Sequence, residues 1–320
     1  MPGVGPQMVV IGSHAPGLLM RVQRVPVAGE TVIGWDYAEP KDGGKGSHQA
    51  IAAARLGVRT SFVGCVGKDR LGAEAESWLK GEGVCIDYLF SSSSKSTGVG
   101  FILLNESGVP AMVTALGANE ELNYKHVETA LSGSREAEVM LTQFEILPDV
   151  ALHAAEVAHD YGMTTIVNPA PALPLSLAKL AVADILVPND KEAKVLLGMH
   201  PEEEIELEAA ALELMRRSKA RCVIITAGEQ GIVGVDDAHR WQARPPNVRV
   251  KDSSGAGDVF CAALATGLIK GLNPREASIW ANTAAALSVT REGTIPSFPT
   301  VKEVEEFCEA IAATNQSMPA

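Results

Sequence analysis

Aromatic residues make up only 5% of the 320 residues, which leaves little with which to build a wall that stacks a planar base. Basic residues are outnumbered too: Lys and Arg total 27 against 39 Asp and Glu, a formal net charge of -12. Such a field repels nucleic acid, so any bound phosphate has to be held by a local site. The five cysteines (Cys65, Cys85, Cys222, Cys261, Cys308) are odd in number, widely spaced and form no CxxC pair. That pattern speaks against a disulfide framework and a structural zinc site, and it fits a reducing, cytoplasmic setting. No apolar run is long enough to span a bilayer. Met1 to Gln7 lacks the basic start and apolar stretch of a secretory signal and reads as a frayed tail. Without a Pro/Ser-rich linker or an internal repeat, the chain reads as a single domain over 1–320.

What is present is an alternation. From about residue 138, apolar runs at 139–141, 164–167 and 184–187 alternate with helical patterns at 148–161, 175–181 and 190–198. Strand and helix in turn predict a parallel sheet covered on both faces, a three-layer α/β/α fold. A further strand at 222–226 precedes hairpin-like segments at 231–235 and 239–250, then helices over 255–271, 274–290 and 300–313. The N-terminal part differs. A strand at 8–12 and a helix from about Gly46 enclose an extended stretch at 30–35, and a hairpin is expected over 98–104 and 109–113 with its turn at 106–108. These segments, about 31–45 and 98–115, predict a small β-sheet lid.

Two clusters carry chemistry. In the first, Asp252-Ser253-Ser254-Gly255-Ala256-Gly257-Asp258 runs into a long apolar helix. Small residues at a helix start leave backbone amides unpaired and open, which is how an anion is held. Asp258, in the first turn, is placed to accept the proton of a hydroxyl attacking a bound phosphoryl group. The plain alternative is a capping carboxylate after a glycine turn. The second cluster, Asp42-Gly43-Gly44-Lys45-Gly46-Ser47-His48, again puts glycines before a helix. Lys45 is followed by Gly46 instead of Ser or Thr, which rules out a Walker A loop. Lys45 and His48 offer donors to hydroxyl oxygens, while a turn into a packed helix is the simpler reading of the motif alone.

Together, in this order and some two hundred residues apart, the two clusters resemble the signature motifs of the ribokinase-like (PfkB) carbohydrate kinases, bacterial ribokinases in particular. The likeness extends to segments 9–13, 26–32, 168–172, 187–193 and 284–291. It implies a Rossmann-like α/β domain with a lid, ATP as phosphoryl donor and Asp258 as base, with the amides of Gly255, Ala256 and Gly257 as anion hole. It further implies that Asn189 and Glu192 organise Mg2+ through water, and that Thr226, Gly228, Gly231, Gly257 and Asn282 surround the nucleotide. Asp252, Ser254, Val289, Gly293 and Ser297 resemble a K+ site. Gly44, Lys45, His48 and Glu145 match sugar-contacting positions, Ser13, His14 and Gly17 are further acceptor-side candidates with a structural role equally open for His14, and a homodimer joined through the lids is implied. Residue by residue, Glu192 can instead be an exposed helix residue capped by Asn189, and Glu145 a solvated loop charge.

The pattern breaks after the first strand. Ribokinases carry Asn-Ala-Asp there, with the aspartate on vicinal sugar hydroxyls; here Ala15 and Gly17 stand in those places, and His48 replaces the usual asparagine after GGKG. These changes predict a sugar, polyol or sugar acid other than D-ribose as acceptor, with His14 and His48 near its distal end. Two other readings stand beside this one. A nucleoside kinase is disfavoured by the scarcity of aromatics, and a non-catalytic nucleotide-binding regulator by the intact base, anion hole and N-x-x-E element.

Overall fold

The computed structural model describes residues 5–39, 42–105 and 110–316. The chain begins with β1 (Met8–Ile11), β2 (Gly17–Val22), β3 (Gly34–Ala38), α1 (Gly44–Arg55), β4 (Thr60–Gly67), α2 (Arg70–Gly81) and β5 (Cys85–Ser92). It continues through β6 (Val99–Leu104), β7 (Pro110–Ala115), α3 (Tyr124–Ser132), β8 (Val139–Gln143), α4 (Pro148–Asp160), β9 (Thr164–Asn168), β10 (Ile185–Leu186) and α5 (Asp190–Leu197). It closes with α6 (Leu207–Ser218), β11 (Cys222–Thr226), β12 (Ile232–Asp236), β13 (Arg240–Ala243), α7 (Ala256–Ile269), α8 (Pro274–Ser288) and α9 (Val301–Gln316).

Nine strands form one sheet in the order β13-β12-β11-β10-β9-β8-β1-β4-β5. β1 and β4 are buried along their whole length, as continuous apolar strands covered on both faces must be. Pairing is parallel from β5 across to β11, with Met8 opposite both Thr60 and Val139, while β12 and β13 run antiparallel. Side chains of α1, α7, α8 and α9 pack on one face, and those of α3, α4, α5 and α6 on the other. From β1 the chain winds outward to β4 and β5, then returns to β8 and winds the opposite way. Helices of the two series lie on opposite faces, so a crevice opens at the carboxyl ends of β1 and β8.

A second sheet, β3-β2-β6-β7, stands apart from the first. β2 pairs parallel with β6, Gly17 opposite Gly100, and β6 pairs antiparallel with β7. The expected turn at 106–108 lies outside the described residues, as do residues 1–4 of the N-terminal lead. Gln7 is not frayed: its amide donates to the Arg59 carbonyl at 2.8 Å and its carbonyl accepts from the Glu138 amide at 2.9 Å.

The structure differs from the sequence reading in three further places. β2 is a strand that the pattern Gly-Leu-Leu-Met-Arg-Val, which lacks alternation, does not announce. The expected helix at 175–181 is a 3-10 turn, Leu177–Val182, following Pro171 and Pro174. The strand expected over 239–250 ends at Ala243, because Pro245 and Pro246 cannot donate to a ladder. Among the described residues no helix is long and apolar enough to cross a membrane.

Candidate active site

Gly255 adopts φ 76°, and a Cβ there would fall 2.7 Å from both the Phe298 and Thr294 side chains, so glycine is required twice over. The bend delivers α7 with no side-chain cap. The Ala256 amide turns back to the Ser253 carbonyl at 3.2 Å. The amides of Gly257 and Asp258 belong to the first turn, where no intrahelical acceptor exists, and nothing lies within 4 Å of a Cβ built on Gly257. Beside this opening Asp258 is only 6% exposed. Its Oδ1 accepts from Gln49 Nε2 at 3.0 Å, and its Oδ2 lies 3.0 Å from His48 Nδ1. Burial alone would raise this carboxyl; His48, Lys45 and Gln49 outweigh it and hold the group below its ordinary range.

The start of α1 meets the same crevice from the β1 side. A Cβ on Gly46 would come within 2.5 Å of the Ser13 amide nitrogen, so the helix can seat against β1 only with glycine there. Ser13 Oγ donates to Glu145 Oε2 at 2.6 Å across the gap between β1 and β8, and the Lys45 amide donates to the same oxygen at 2.9 Å. Glu145 is therefore built into the site and is not a solvated loop charge. Desolvation would depress the Lys45 ammonium, yet the charges of Asp258, Glu145 and Glu192 raise it, which marks the convergence of three carboxylates on one lysine.

His48 bridges two acids. Nδ1 faces Asp258 and Nε2 makes a short contact with Asp42 Oδ1. Burial would lower this imidazole, but the two carboxylates push it up to about 10. His14 behaves oppositely: 1% exposed, packed against Gly43 and Trp78 with Nδ1 2.8 Å from Ser47 Oγ, it is driven down to about 4 by burial, and the His48 charge adds to the effect. It packs against the loop, and its Nε2 is buried without a hydrogen-bond partner among the described residues. Gly17 opens β2 and adjoins Asp42. Sequence reasoning placed Asp42 in its motif without a role, and it missed Gln49, held in turn by Gln143 and Asn168 from the ends of β8 and β9. The one available signal was position, since Asp42 directly precedes the glycine pair.

Asn189 and Glu192 open α5 as a capping box, each side chain on the other's amide at 2.8 Å, and Asn189 bridges to Thr226 at the end of β11. The capping alternative is thus realised, with Glu192 half-buried instead of exposed. A Cβ on Gly231 would fall 2.0 Å from the Ala243 carbonyl oxygen, which also accepts from Asn282 Nδ2 at 3.2 Å. Thr226, Gly228, Gly231 and Asn282 accordingly gather around the β11–β12 turn. Asp252 accepts the amides of Ser254 at 2.9 Å and Gly293 at 3.0 Å, and Lys251 donates to the Val289 carbonyl at 2.8 Å. Four of the five expected cation positions thus come together, while the Ser297 hydroxyl is turned to the Thr294 carbonyl at 2.7 Å.

A family model described as pfkB family carbohydrate kinase matches residues 8–301. The chain belongs to this family. It is 36% identical over 305 residues to the ribokinase of Bacillus subtilis, covering 93% of this chain and 98% of that one. It is 34% identical over 307 residues to the ribokinase of Schizosaccharomyces pombe, covering 93% and 96%. Among solved structures, the Arabidopsis thaliana ribokinase complexed with ribose and ATP superposes with a TM-score of 0.85 at 29% identity, over 95% of this chain and 99% of that one. The protein is therefore a carbohydrate kinase of ribokinase-like α/β fold.

In this carbohydrate kinase the Asn189 and Glu192 side chains are engaged with each other's amides. Glu192 presents a hard carboxylate whose burial raises it above its ordinary value, a penalty that a nearby cation would relieve. A separate cavity of about 650 Å3, lined by His159, Asp184, Arg221, Cys222 and His239 among others, opens at the opposite end of the sheet and shares no residue with this cluster.

Proposed function

We propose that the enzyme transfers the γ-phosphoryl group of ATP in line to a hydroxyl of a sugar or sugar-like small molecule, with Asp258 receiving the hydroxyl proton. One observation carries the reading: a buried carboxylate and the unclaimed amides of Gly257 and Asp258 meet at a single helix start. In the reaction the acceptor O–H bond breaks and its O–P bond forms as the bond from the γ-phosphorus to the bridging oxygen of ATP breaks, leaving ADP and a protonated Asp258. The amides of Gly257 and Asp258 and the positive end of α7 hold the charge that spreads over the transferring group, while the Ala256 amide, expected to join them, is taken by the Ser253 carbonyl. Lys45 adds a fixed cation beside it. Mg2+, held through water near Glu192, would supply charge neutralisation on the ATP phosphates. Asp252, Ser254, Val289 and Gly293 are assigned to a K+ site. The ATP of the similar Arabidopsis ribokinase complex supports the choice of donor.

The small sheet is assigned as a lid that excludes water from the acceptor. Trp35, Tyr37, Phe101, Met112 and Val113 stay exposed on it, which suits pairing of two lids in a homodimer. The reading against D-ribose rested on a missing carboxylate at position 17 and on His48 in place of an asparagine. Asp42 now supplies a carboxylate beside that position, so D-ribose stands in the acceptor panel on equal terms with modified sugars, polyols and sugar acids. Acceptor-dependent ADP release over that panel tests the function, and ATP hydrolysis indifferent to every acceptor would reject it.

A further inference from the structure

Asp42 lies in the loop before α1, yet its carboxylate occupies the space that a side chain on β2 would use: a Cβ built on Gly17 would be 2.5 Å from Asp42 Oδ2. Glycine at 17 is thus the condition for Asp42 to enter the crevice. The Gly43 amide donates to Oδ1 at 3.0 Å, His48 Nε2 contacts the same oxygen, and the Gly17 amide also donates to the carboxylate. A carboxylate has room for about four hydrogen bonds, so these donors leave capacity for a hydroxyl. His48 then fixes the spacing, one imidazole ring between Asp42 and the base Asp258. The Asp42 side chain is 16% exposed against 8% for Asp258, so in this row of three it is the member more open to a small molecule.

We propose that Asp42 is a specificity-determining residue that accepts a hydrogen bond from one acceptor hydroxyl not being phosphorylated, with His48 as the positioning residue that sets its distance from Asp258. The inference rests on the kinase reading above. It places the recognised hydroxyl of the acceptor about one imidazole ring from the hydroxyl that reacts, and it makes an acceptor with at least two hydroxyls obligatory.

The test moves the carboxylate. Asp42→Asn, Asp42→Gly and the double variant Asp42→Gly with Gly17→Asp are compared with the unchanged enzyme. Each is assayed on the acceptor of highest kcat/KM, on its analogues lacking one hydroxyl each, and by direct ATP titration. Asp42→Gly and Asp42→Asn should each raise acceptor KM by ~10²-fold, erase the preference over one deoxy analogue and leave the ATP Kd within about twofold. The double variant, which carries its carboxylate on the strand, should regain ~10-fold or more of the loss. Asn, close in shape to Asp, keeps the experiment decisive if the glycine variants fail to fold. Unchanged selectivity among analogues in an active Asp42→Asn enzyme overturns the assignment, even where kcat falls. An unmodified enzyme that phosphorylates none of the acceptors overturns the kinase reading itself.

Discussion

Two helices begin with glycine-rich turns at the same crevice, and neither has a side-chain cap of its own. At α1 three donors are already taken: the Lys45 amide by Glu145, the Gly46 amide by Ser13 Oγ at 3.4 Å, and the Ser47 amide by the Ser13 carbonyl at 3.0 Å. At α7 the amides of Gly257 and Asp258 have no such acceptor among the described residues. Glu145 brings to α1 the anion that α7 lacks. The two starts look alike in sequence and differ in chemistry. One is a filled slot that anchors the helix to β1 and β8; the other is a slot left for a phosphoryl group.

The largest effect expected from this contrast is on the proton acceptor at the open start. Asp258→Asn should lower kcat by ~10²–10⁴ while the ATP Kd, read by titration, changes little. Turnover near normal would remove Asp258 from the chemistry. Next come the two histidines behind the filled start, which titrate in opposite directions. His14 is driven down to about 4, so its contribution is present above its unfolded value of 6.5 and is lost as pH falls from there toward 4, by up to about 3 kcal/mol. His48 is pushed up to about 10, so the stability it adds is complete below 6.5 and is lost as pH rises toward 10. Urea unfolding at a series of pH values should give a maximum near 6.5. His14→Gln should flatten the acid side and His48→Asn the alkaline side; a slope unchanged in either variant would contradict a neutral His14 beside a charged His48.

The fold was largely legible because its signals are local. Buried parallel strands such as β8, β9 and β11 show as short apolar runs, and the helices from α7 onward fall within two or three residues of where periodicity and breakers put them. β2 escaped because its register is set by pairing with β3 and β6, partners distant in sequence. The site was legible wherever a motif is contiguous: Gly255 to Asp258, and Gly44 to His48. It was illegible wherever contact is made across the crevice. Gln49 looks like any polar helix residue until β8 and β9 place Gln143 and Asn168 against it, and Asp42 gains its meaning from Gly17, a glycine on another strand. His14, for which the sequence leaves a structural role and an acceptor contact equally open, is buried against Gly43 and Trp78, because position after β1 does not reveal which way a side chain turns.

The smallest effects distinguish the two glycines of the open start. Gly255→Ala forces a side chain into φ 76° and against Phe298 and Thr294, so a denaturant melt should show a loss of ~2 kcal/mol or more, with ATP affinity falling as the turn shifts. At Gly257 a methyl group meets no protein atom within 4 Å, and Ala is the better helix former, so stability should hold or rise by up to ~1 kcal/mol. That added methyl projects into the space an anion would use to reach the amides, so KM for ATP should rise while the melt does not weaken. A Gly257→Ala enzyme with unaltered KM for ATP would mean that the open amides face no nucleotide, and the contrast between the two helix starts would then be one of packing alone.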